Sequence, residues 1–437
     1  MKQDDYDPNG RKVVVLGAGI SGISAAYHLG QSGYETVVYE KDADWGGLCG
    51  NFTVDGFRFD KAVHLSFARN KYVQELFEKS TDLYRHRPHA FNYYEGHWLK
   101  HPAQNNLSPL PAEEKVKIIS DFVRNRDRSA RPENYEQWLR AQYGDYFSEN
   151  FPMRYTRKYW TMDAEALSTS WVGNRMYKPD IEEVLAGSYS TDTPNTYYAE
   201  EMRYPKTGGY KSFLRVMSED TDIRVNKEVV RIDPDSRMVY FSDGESVSYD
   251  FLVSSLPLPL IVTLIDGIPD AVRAAGEKLF ASSVALVSLG FNDPDVAKYL
   301  WYYIYDEDFL SARCYSPSLK SPDNAPEGCS SLQFEIYFSR HKPLPVPLDE
   351  LAGHIIEKGS QMGLFDPSKI AAQDVRVLPY GNVVFYRGME DDREVVLNYL
   401  DSIDVYRVGR FGRWEYLWSD QSLLSGKNVK LKKRCHE

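Results

Sequence analysis

Three glycines near the start of the sequence carry the first signal of a chemical function. Gly17, Gly19 and Gly22 follow the apolar run Val13–Leu16 and precede a helical pattern that extends to about Gln31. This spacing permits a sharp turn, close approach of the backbone to a pyrophosphate, and tight packing of the helix on the strand. Unpaired N–H groups at the start of the helix favour a bound anion. The stretch therefore predicts a dinucleotide-binding strand, turn and helix.

An acid and a second glycine pair follow this turn. The predicted strand Glu35–Tyr39 ends at Glu40, which is placed to hydrogen bond with a ribose hydroxyl. Gly46 and Gly47 come shortly afterwards. Strand, glycines, helix, second strand and acid occur in the order that a dinucleotide fold requires, which an isolated GxGxxG does not provide.

The middle of the sequence combines aromatic rings with cations. Tyr155, Trp160, Trp171 and Arg175 occur in one short segment. A nucleobase can stack on such rings while arginine or lysine neutralises a diphosphate. A protein interface or a packed surface has the same composition, so the pattern alone leaves these interpretations open.

Two further polar residues need context before a role can be assigned. His64 lies between apolar neighbours, where a histidine is more often a hydrogen-bonded core residue than a site residue. Arg313 lies on a predicted strand, where an arginine is more often solvated or ion-paired. The residues alone leave a structural and a functional role open for each.

Length, charge and cysteine content restrict the class of protein. At 437 residues the chain exceeds the usual single-domain size, so two or three lobes around one ligand are expected. The 52 basic and 63 acidic residues give a net charge of −11, which argues against nonspecific binding to nucleic acid or anionic membranes. The cysteines are scattered and lack CxxC spacing, which favours a reducing compartment without structural zinc or disulfides; they are Cys49, Cys314, Cys329 and Cys435.

Neither a secretory signal nor a membrane span is predicted. Residues 1–5 lack an apolar core segment. The most apolar run, Phe251–Ile265, is interrupted by Pro257 and Pro259 and is too short to cross a bilayer. We therefore expect a cytoplasmic protein without a metal site and without nucleic-acid or membrane partners.

The elements that must position these residues divide into three sections of an α/β fold. A Rossmann-like domain is expected from residues 1–70, 204–256 and 400–437. A mainly helical domain from residues 71–203 and a mixed or antiparallel β-sheet domain from residues 257–399 are inserted into it.

Local patterns place individual elements within these sections. A helix is predicted over Tyr135–Tyr143 and a hairpin over Phe91–Leu99. Alternating aromatic residues predict antiparallel strands in the third section. A further strand is predicted over Asn382–Tyr386, and a Gly-Arg-x-Gly turn begins at Gly409 after the last strand.

Five segments spread over almost the whole chain share the pattern of one family. They are Gly46-Gly47-Leu48 with Asp55-Gly56-Phe57 and His64; Lys158-x-Trp160 with Trp171-x-x-x-Arg175; Tyr204-Pro205-Lys206-Thr207-Gly208-Gly209; Arg313 with residues 316–326; and Gly409-Arg410-Phe411-Gly412-x-Trp414-x-Tyr416 with Asp420-x-Ser422. Together they resemble the UDP-galactopyranose mutases of the FAD-binding amine oxidase and protoporphyrinogen oxidase superfamily. The resemblance favours noncovalent FAD over NAD and implies three domains that meet at one cleft.

The resemblance also implies a reaction and its site residues. In the mutases, reduced flavin N5 acts as a nucleophile at the anomeric carbon of UDP-galactopyranose, and UDP leaves and returns as the sugar ring changes between pyranose and furanose. The implied catalytic residues are His64, Arg175 and Arg313. The implied substrate-binding residues are Tyr155, Trp160, Arg175, Arg313, Tyr386 and Tyr416. The implied FAD-binding residues are Gly17, Gly19, Ile20, Ser21, Gly22, Glu40, Lys41, Gly46, Gly47, Leu48, His64, Val229, Gly409, Arg410, Asp420, Gln421 and Ser422.

Three segments depart from the family pattern, and one of them is Lys61-Ala62-Val63, which stands in place of a glycine-rich lead into His64. Val383–Tyr386 occupies the place of a Tyr-Pro pair, with Tyr386 as the substituting tyrosine, and Gln421 replaces a histidine. The expected partners are a nucleotide-diphosphate sugar and NAD(P)H or a reductase as electron source, with a homodimer as one compatible assembly.

Two alternatives share the FAD-binding segments. One is an FAD-dependent amine or protoporphyrinogen-type oxidoreductase, and the other is an FAD-stabilised protein without catalysis. The sequence feature that separates the mutase from the oxidase is the pair Arg175 and Arg313, because an amine oxidase has no diphosphate for them to bind.

Overall fold

The computed structural model describes residues 10–124, 131–173, 175–193 and 200–432. The segment before residue 10 and Cys435 lie outside the described residues. The strands are β1 Lys12–Leu16, β2 Glu35–Tyr39, β3 Asn51–Val54, β4 Phe57–Asp60, β5 Leu83–His86, β6 Ala90–Tyr94, β7 His97–Lys100, β8 Met202–Pro205, β9 Asp222–Arg224, β10 Val229–Asp233, β11 Met238–Phe241, β12 Ser246–Ser248, β13 Phe251–Ser254, β14 Ala281–Phe291, β15 Trp301–Ile304, β16 Arg313–Tyr315, β17 Ser330–Phe338, β18 Ile370–Val383 and β19 Val405–Arg407.

Helices occupy much of the remaining described chain. They are α1 Ile20–Gln31, α2 Lys71–Ser80, α3 Ala112–Arg124, α4 Tyr135–Tyr143, α5 Asp145–Asn150, α6 Pro152–Tyr159, α7 Ile181–Tyr189, α8 Arg215–Glu219, α9 Leu258–Leu264, α10 Asp270–Lys278, α11 Pro317–Lys320, α12 Leu351–Gln361, α13 Met389–Ser402, α14 Gly409–Gly412 and α15 Ser419–Lys427. None of the described helices combines the length and the apolar character needed to cross a bilayer.

A five-stranded parallel sheet forms the base of the molecule, in the order β19-β13-β1-β2-β9. Val13–Leu16 of β1 are fully buried between β2 and β13. Helix α1 begins directly after the glycine turn, and Gly33, with φ 94°, allows the chain to reverse into β2. The predicted strand, turn, helix and second strand are confirmed, and so is the α/β fold class.

A seven-stranded sheet has the strand order β18-β14-β17-β16-β15-β6-β7. It faces the parallel sheet across the cavity described below. The pair β6 and β15 is parallel, and the other neighbours are antiparallel. The predicted hairpin is confirmed as β6 and β7, but it extends this sheet instead of standing among the helices. Strand pairing thus crosses two of the domain boundaries drawn from the sequence, and those boundaries remain a prediction.

Helices α3 to α7 pack through aromatic and aliphatic side chains. The predicted helix at residues 135–143 is confirmed as α4, whose first turn is capped by the Asn134 side chain accepting from Gln137 N at 2.9 Å. Pro152 starts α6 at a position where its missing N–H costs nothing. Phe147 and Phe151 stack with ring centroids 4.6 Å apart and fix α5 against α6.

One predicted strand is wrong. The sequence places a strand over Asn382–Tyr386, whereas β18 runs from Ile370 to Val383 and Tyr386 lies beyond its end. Pro379 and Gly381 lie within β18, which is an edge strand, where a missing N–H donor is tolerated. The register irregularity opposite Ser282 and Val284 absorbs the distortion.

Replacing Gly22 by alanine tests the close packing of α1 on the turn. A Cβ at Gly22 would lie 2.0 Å from the Gly17 carbonyl oxygen, so the helix would have to move and the protein should lose about 3 kcal/mol or more. Gly30→Ala in the same helix is the matched control, because the nearest atom to its Cβ is 3.5 Å away. Urea unfolding should show a destabilised Gly22→Ala and a neutral or stabilised Gly30→Ala; equal stabilities would contradict the packing argument.

Candidate active site

A cavity of about 830 Å³ lies where the parallel sheet, the helices and the seven-stranded sheet meet. The residues predicted from sequence that line it are Gly17, Gly19, Ile20, Ser21, Glu40, Lys41, Gly46, Gly47, Leu48, His64, Tyr155, Trp160, Arg175, Arg313, Arg410, Tyr416 and Ser422. Segments from the beginning, middle and end of the chain therefore converge on one site.

Two glycine turns form the floor of the cavity. Gly46 N donates to Ala18 O at 2.8 Å, and a Cβ at Gly47 would lie 3.1 Å from Gly19 Cα. The N-terminus of α1 has neither a side-chain cap nor an acidic residue in its first turn. The first N–H groups of α1 are thus left for an anion, as a pyrophosphate site requires.

Glu40 ties the acid of the second strand to the first glycine turn. Its Oε2 accepts from Ala18 N at 2.8 Å, and its Oε1 accepts from Asp42 N at 3.0 Å. A carboxylate has further lone pairs beyond these two bonds. Glu40 is therefore held in a fixed orientation while it lines the cavity, as a ribose-binding acid should be.

His64 lies on the loop between β4 and α2. Its Nδ1 lies 3.1 Å from Ala62 O, and its ring packs against Tyr210 with centroids 4.9 Å apart. Ala62 adopts φ 74°, a left-handed conformation that is strained for a residue with a Cβ. Burial lowers the pKa of His64 to about 4. The imidazole is neutral at neutral pH.

Arg313 is paired with a buried carboxylate. Its Nη2 lies 2.6 Å from Glu335 Oε2, and the Glu335 side chain is fully buried. Glu335 also accepts from Val63 N at 2.8 Å and from the Tyr337 hydroxyl at 2.8 Å. The ion pair anticipated as the structural role of a strand arginine is present, and the same arginine also lines the cavity. Glu335 thus orients Arg313 and offsets its charge.

Arg175 is held by carbonyls and aromatic rings instead of a carboxylate. Its Nη1 donates to Trp171 O and its Nη2 to Tyr416 O, each at 2.7 Å. Its guanidinium lies 4.6 Å from the Tyr416 ring centroid, and that of Arg410 lies 4.9 Å from the same ring. Among the residues that the structure describes, neither Arg175 nor Arg410 forms a salt bridge. Two positive charges therefore flank one ring beside the cavity.

Tyrosines and tryptophans form the wall of the cavity between Arg175 and Arg313. Tyr155 and Tyr159, one turn apart on α6, stack with centroids 5.3 Å apart. The ring centroids of Trp160 and Trp171 are 4.7 Å apart. Burial raises the pKa of the Tyr155 hydroxyl well above its ordinary value, so it stays protonated. This wall can stack on a planar ring and donate hydrogen bonds.

Four further predicted residues shape the site without lining it. Gly22 and Gly409 allow close packing, since a Cβ at Gly409 would lie 2.2 Å from Ser21 Oγ. Gln421 Oε1 accepts from Trp418 N at 2.9 Å, at the start of the helix that carries Ser422 to the cavity. Asp420 lies in that same first turn, and burial raises the pKa of its carboxyl group.

Val229 and Tyr386 are predicted residues that do not line the cavity. Val229 begins β10 and pairs with Phe241. Tyr386 donates its hydroxyl to Asp392 at 2.9 Å and stacks on Phe280, because β18 ends before it. Tyr380, on β18 itself, lines the cavity instead. The substitution of Tyr386 for a family tyrosine therefore has no support in its position.

Sequence reasoning missed several residues that contribute to the site. Glu335 and Tyr337 alternate on β17, and Tyr303 and Tyr305 follow the same alternation at β15. This period of two was the available signal, since it places such residues on one face of a strand. The ion-pair partner of Arg313 could not be predicted, because no local sequence pattern pairs residue 313 with residue 335.

Comparisons with known proteins agree with this architecture. A sequence model of the family described as flavin containing amine oxidoreductase matches residues 20–370. A solved structure of reduced UDP-galactopyranose mutase superposes with a TM-score of 0.90 and 25% identity, over 97% of this chain and 93% of that chain.

Curated relatives match over shorter regions. A zeta-carotene-forming phytoene desaturase of Myxococcus xanthus is 45% identical over 12% of this chain and 10% of its own length. A 4,4'-diaponeurosporene oxygenase of Staphylococcus haemolyticus is 24% identical over 56% of this chain and 55% of its own length. The chain thus spans between about a tenth and about half of these curated relatives.

The chain belongs to the flavin containing amine oxidoreductase family, and its architecture is that of the FAD-binding fold shared with UDP-galactopyranose mutase. As a member of this family it is a flavoprotein with FAD as its cofactor. The residues present fit the cofactor: a glycine floor that any Cβ would fill, an uncapped helix N-terminus, and an oriented acid at the end of β2. Among the described residues, no cluster of His, Cys, Asp and Glu is arranged to hold a metal ion.

Replacing Arg313 tests its pairing with Glu335. Arg313→Ala leaves a fully buried carboxylate without a countercharge and should cost about 3–5 kcal/mol of unfolding free energy. Adding Glu335→Gln removes the unpaired charge and should recover most of that loss. Arg175→Ala, which leaves no carboxylate behind, should cost less. Chemical denaturation measures all three; a double variant no more stable than Arg313→Ala would contradict the pairing.

Proposed function

We propose that the protein is an FAD-dependent nucleotide-sugar mutase that interconverts pyranose and furanose forms, as UDP-galactopyranose mutase does. The observation that carries the proposal is the charge of the cavity. Its cationic lining residues are Lys41, Lys61, Arg175, Lys178, Arg313 and Arg410, against the carboxylates Glu40 and Asp42. In a chain of net charge −11, this concentration of cations favours an anionic substrate in addition to the cofactor.

The arginines can hold a leaving and returning diphosphate. Arg175 has no carboxylate partner among the described residues, so an anion that enters the cavity meets an uncompensated charge. Arg313, oriented by Glu335, offers donors in a fixed geometry. Tyr159 lies between them: its ring is 5.8 Å from the Arg313 guanidinium, and its hydroxyl is 3.5 Å from that of Tyr416. Fixed donors of this kind stabilise developing negative charge without reorganisation.

The remaining roles follow from the lining. Tyr155 and Trp160 supply aromatic faces for a nucleobase, and burial of the wall excludes water that would hydrolyse an activated sugar. Bound FAD in its reduced form would supply a nucleophilic N5 for the anomeric carbon. His64, neutral beside the glycine floor, adds no competing charge there. NAD(P)H or a separate reductase would provide the electrons.

An FAD-dependent oxidoreductase is the second candidate, since the family and the carotenoid-related relatives favour it. A carotenoid hydrocarbon has no charged group, and it would leave Arg175 and Arg410, both partly buried, beside an apolar ligand without a carboxylate partner among the described residues. That arrangement is costly. The cavity therefore supports the mutase better.

Turnover by the reduced protein alone tests the proposal. Dithionite-reduced protein should convert UDP-galactopyranose, or another UDP-hexose of a panel, to its furanose form, and the oxidised protein should not. Chromatography of the nucleotide sugars measures the conversion. Oxygen-dependent peroxide formation with an amine, without ring interconversion, would select the oxidoreductase instead.

Arg175→Ala tests the diphosphate role. The change should lower kcat/KM about 100-fold to 1000-fold while the flavin spectrum is retained, because it removes an oriented donor from the developing charge. Arg413→Ala is the matched control, since Arg413 is an exposed arginine of the same C-terminal segment that pairs with Glu415. Similar kinetics for both variants would contradict the assignment of Arg175.

A further inference from the structure

A buried ion pair lies directly behind the part of the cavity wall that carries His64. Lys320 is the last residue of α11 and Asp60 is the last residue of β4. The Lys320 Nζ lies 2.6 Å from Asp60 Oδ2, and both side chains are 0% exposed. None of the roles assigned above uses this pair.

Further polar and aromatic groups surround the pair. Asp60 also accepts from the Tyr204 hydroxyl at 2.7 Å and from Tyr210 N at 3.1 Å. Together with the Lys320 ammonium, these groups place three donors on one buried carboxylate. The Lys320 ammonium lies 4.5 Å from the ring centroids of Tyr204 and Tyr315. Burial lowers the pKa of the Lys320 ammonium, whereas the bonded Asp60 carboxylate raises it.

Both members of the pair are connected to His64. Lys320 Nζ lies 3.4 Å from the His64 carbonyl oxygen. Asp60 accepts from the backbone of Tyr210, whose ring packs on the imidazole. Because Ala62 O can only accept, His64 Nδ1 must carry the proton of the bond between them, and Nε2 of the neutral ring is then an acceptor.

The charged groups that act on His64 come from three elements. Asp60 raises its pKa, Lys320 lowers it, and Glu335, which is paired with Arg313, raises it; burial has the largest effect and lowers it. Loss of Lys320 alone would leave two carboxylates acting on the imidazole. Loss of the whole pair would leave the electrostatic balance close to that of the native protein.

We propose that Lys320 is a positioning residue for His64: it cancels the charge of Asp60 and holds the His64 backbone, so that no net charge lies behind the flavin site. The inference rests on the FAD-binding part of the proposed function and does not depend on the mutase reaction. Sequence reasoning had no signal for it, because the two partners are 260 residues apart.

The reduction potential of bound FAD provides the first test. Lys320→Met leaves an unpaired anion and should lower the potential, whereas Asp60→Asn leaves an unpaired cation and should raise it. The double variant should return close to the native value. A merely structural role would not produce shifts of opposite sign that cancel. Shifts in the same direction, or none, would overturn the proposal.

Lys158→Met is the matched control for loss of a buried lysine. Lys158 is 3% exposed and donates to the carbonyls of Ile304 and Asp306, and no carboxylate of the described residues is bonded to its ammonium. Its removal should leave the flavin potential unchanged. A potential shift as large as that of Lys320→Met would show that any loss of a buried lysine has this effect, and would overturn the assignment.

Titration of His64 by NMR provides a second test that needs no bound cofactor. Native His64 should stay neutral down to pH 5, whereas its titration midpoint should rise by about one pH unit or more in Lys320→Met and return in the double variant. If Lys320→Met does not fold, the His64 titration midpoint of Asp60→Asn is compared with that of the double variant. Only Asp60→Asn keeps an unpaired cation. A protein that binds no FAD would overturn the proposed function while this titration still tests Lys320.

Discussion

The contact between the two glycine turns is the constraint on which the site depends. Because Gly22 has no side chain, α1 lies directly on the turn that follows β1, and Gly46 and Gly47 lie on Gly19 without a side chain between them. This contact sets the floor of the cavity and the direction of the α1 N-terminus. It also places the chain that leads through β3 and β4 to His64. Every cofactor-side group inherits its position from this one backbone contact.

Which cations near the cavity have a carboxylate partner, more than the fold, determines the kind of substrate that the cavity can bind. The same FAD-binding architecture serves mutases and oxidoreductases, so the architecture alone does not choose a substrate. Within it, Arg313 is balanced by Glu335 and Lys320 by Asp60, while Arg175 and Arg410 flank Tyr416 without a carboxylate partner in the described chain. The protein thus pairs Arg313 and Lys320 with carboxylates and leaves Arg175 and Arg410 unbalanced beside the cavity.

Local signals predicted much of this structure. The glycine turn, α1, β2 and α4 follow from short-range spacing and capping, and they occur where the sequence places them. The ion pairs could not be predicted, since residues 313 and 335, or 60 and 320, meet only through sheet register and loop packing. Tyr386 shows a different failure: the strand predicted over Asn382–Tyr386 ends at Val383 in the structure, so Tyr386 lies beyond it and bonds to Asp392 instead of lining the cavity.

The order of strands in the parallel sheet also governs how the chain can reach this structure. β1 pairs on one side with β13, and β13 pairs in turn with β19 at residues 405–407. In the seven-stranded sheet, β6 can form its parallel pair only after β15 has been synthesised. During synthesis, the sheet therefore stays open at one edge until nearly all described residues have left the ribosome. Such distant pairing slows folding and exposes unpaired strands meanwhile.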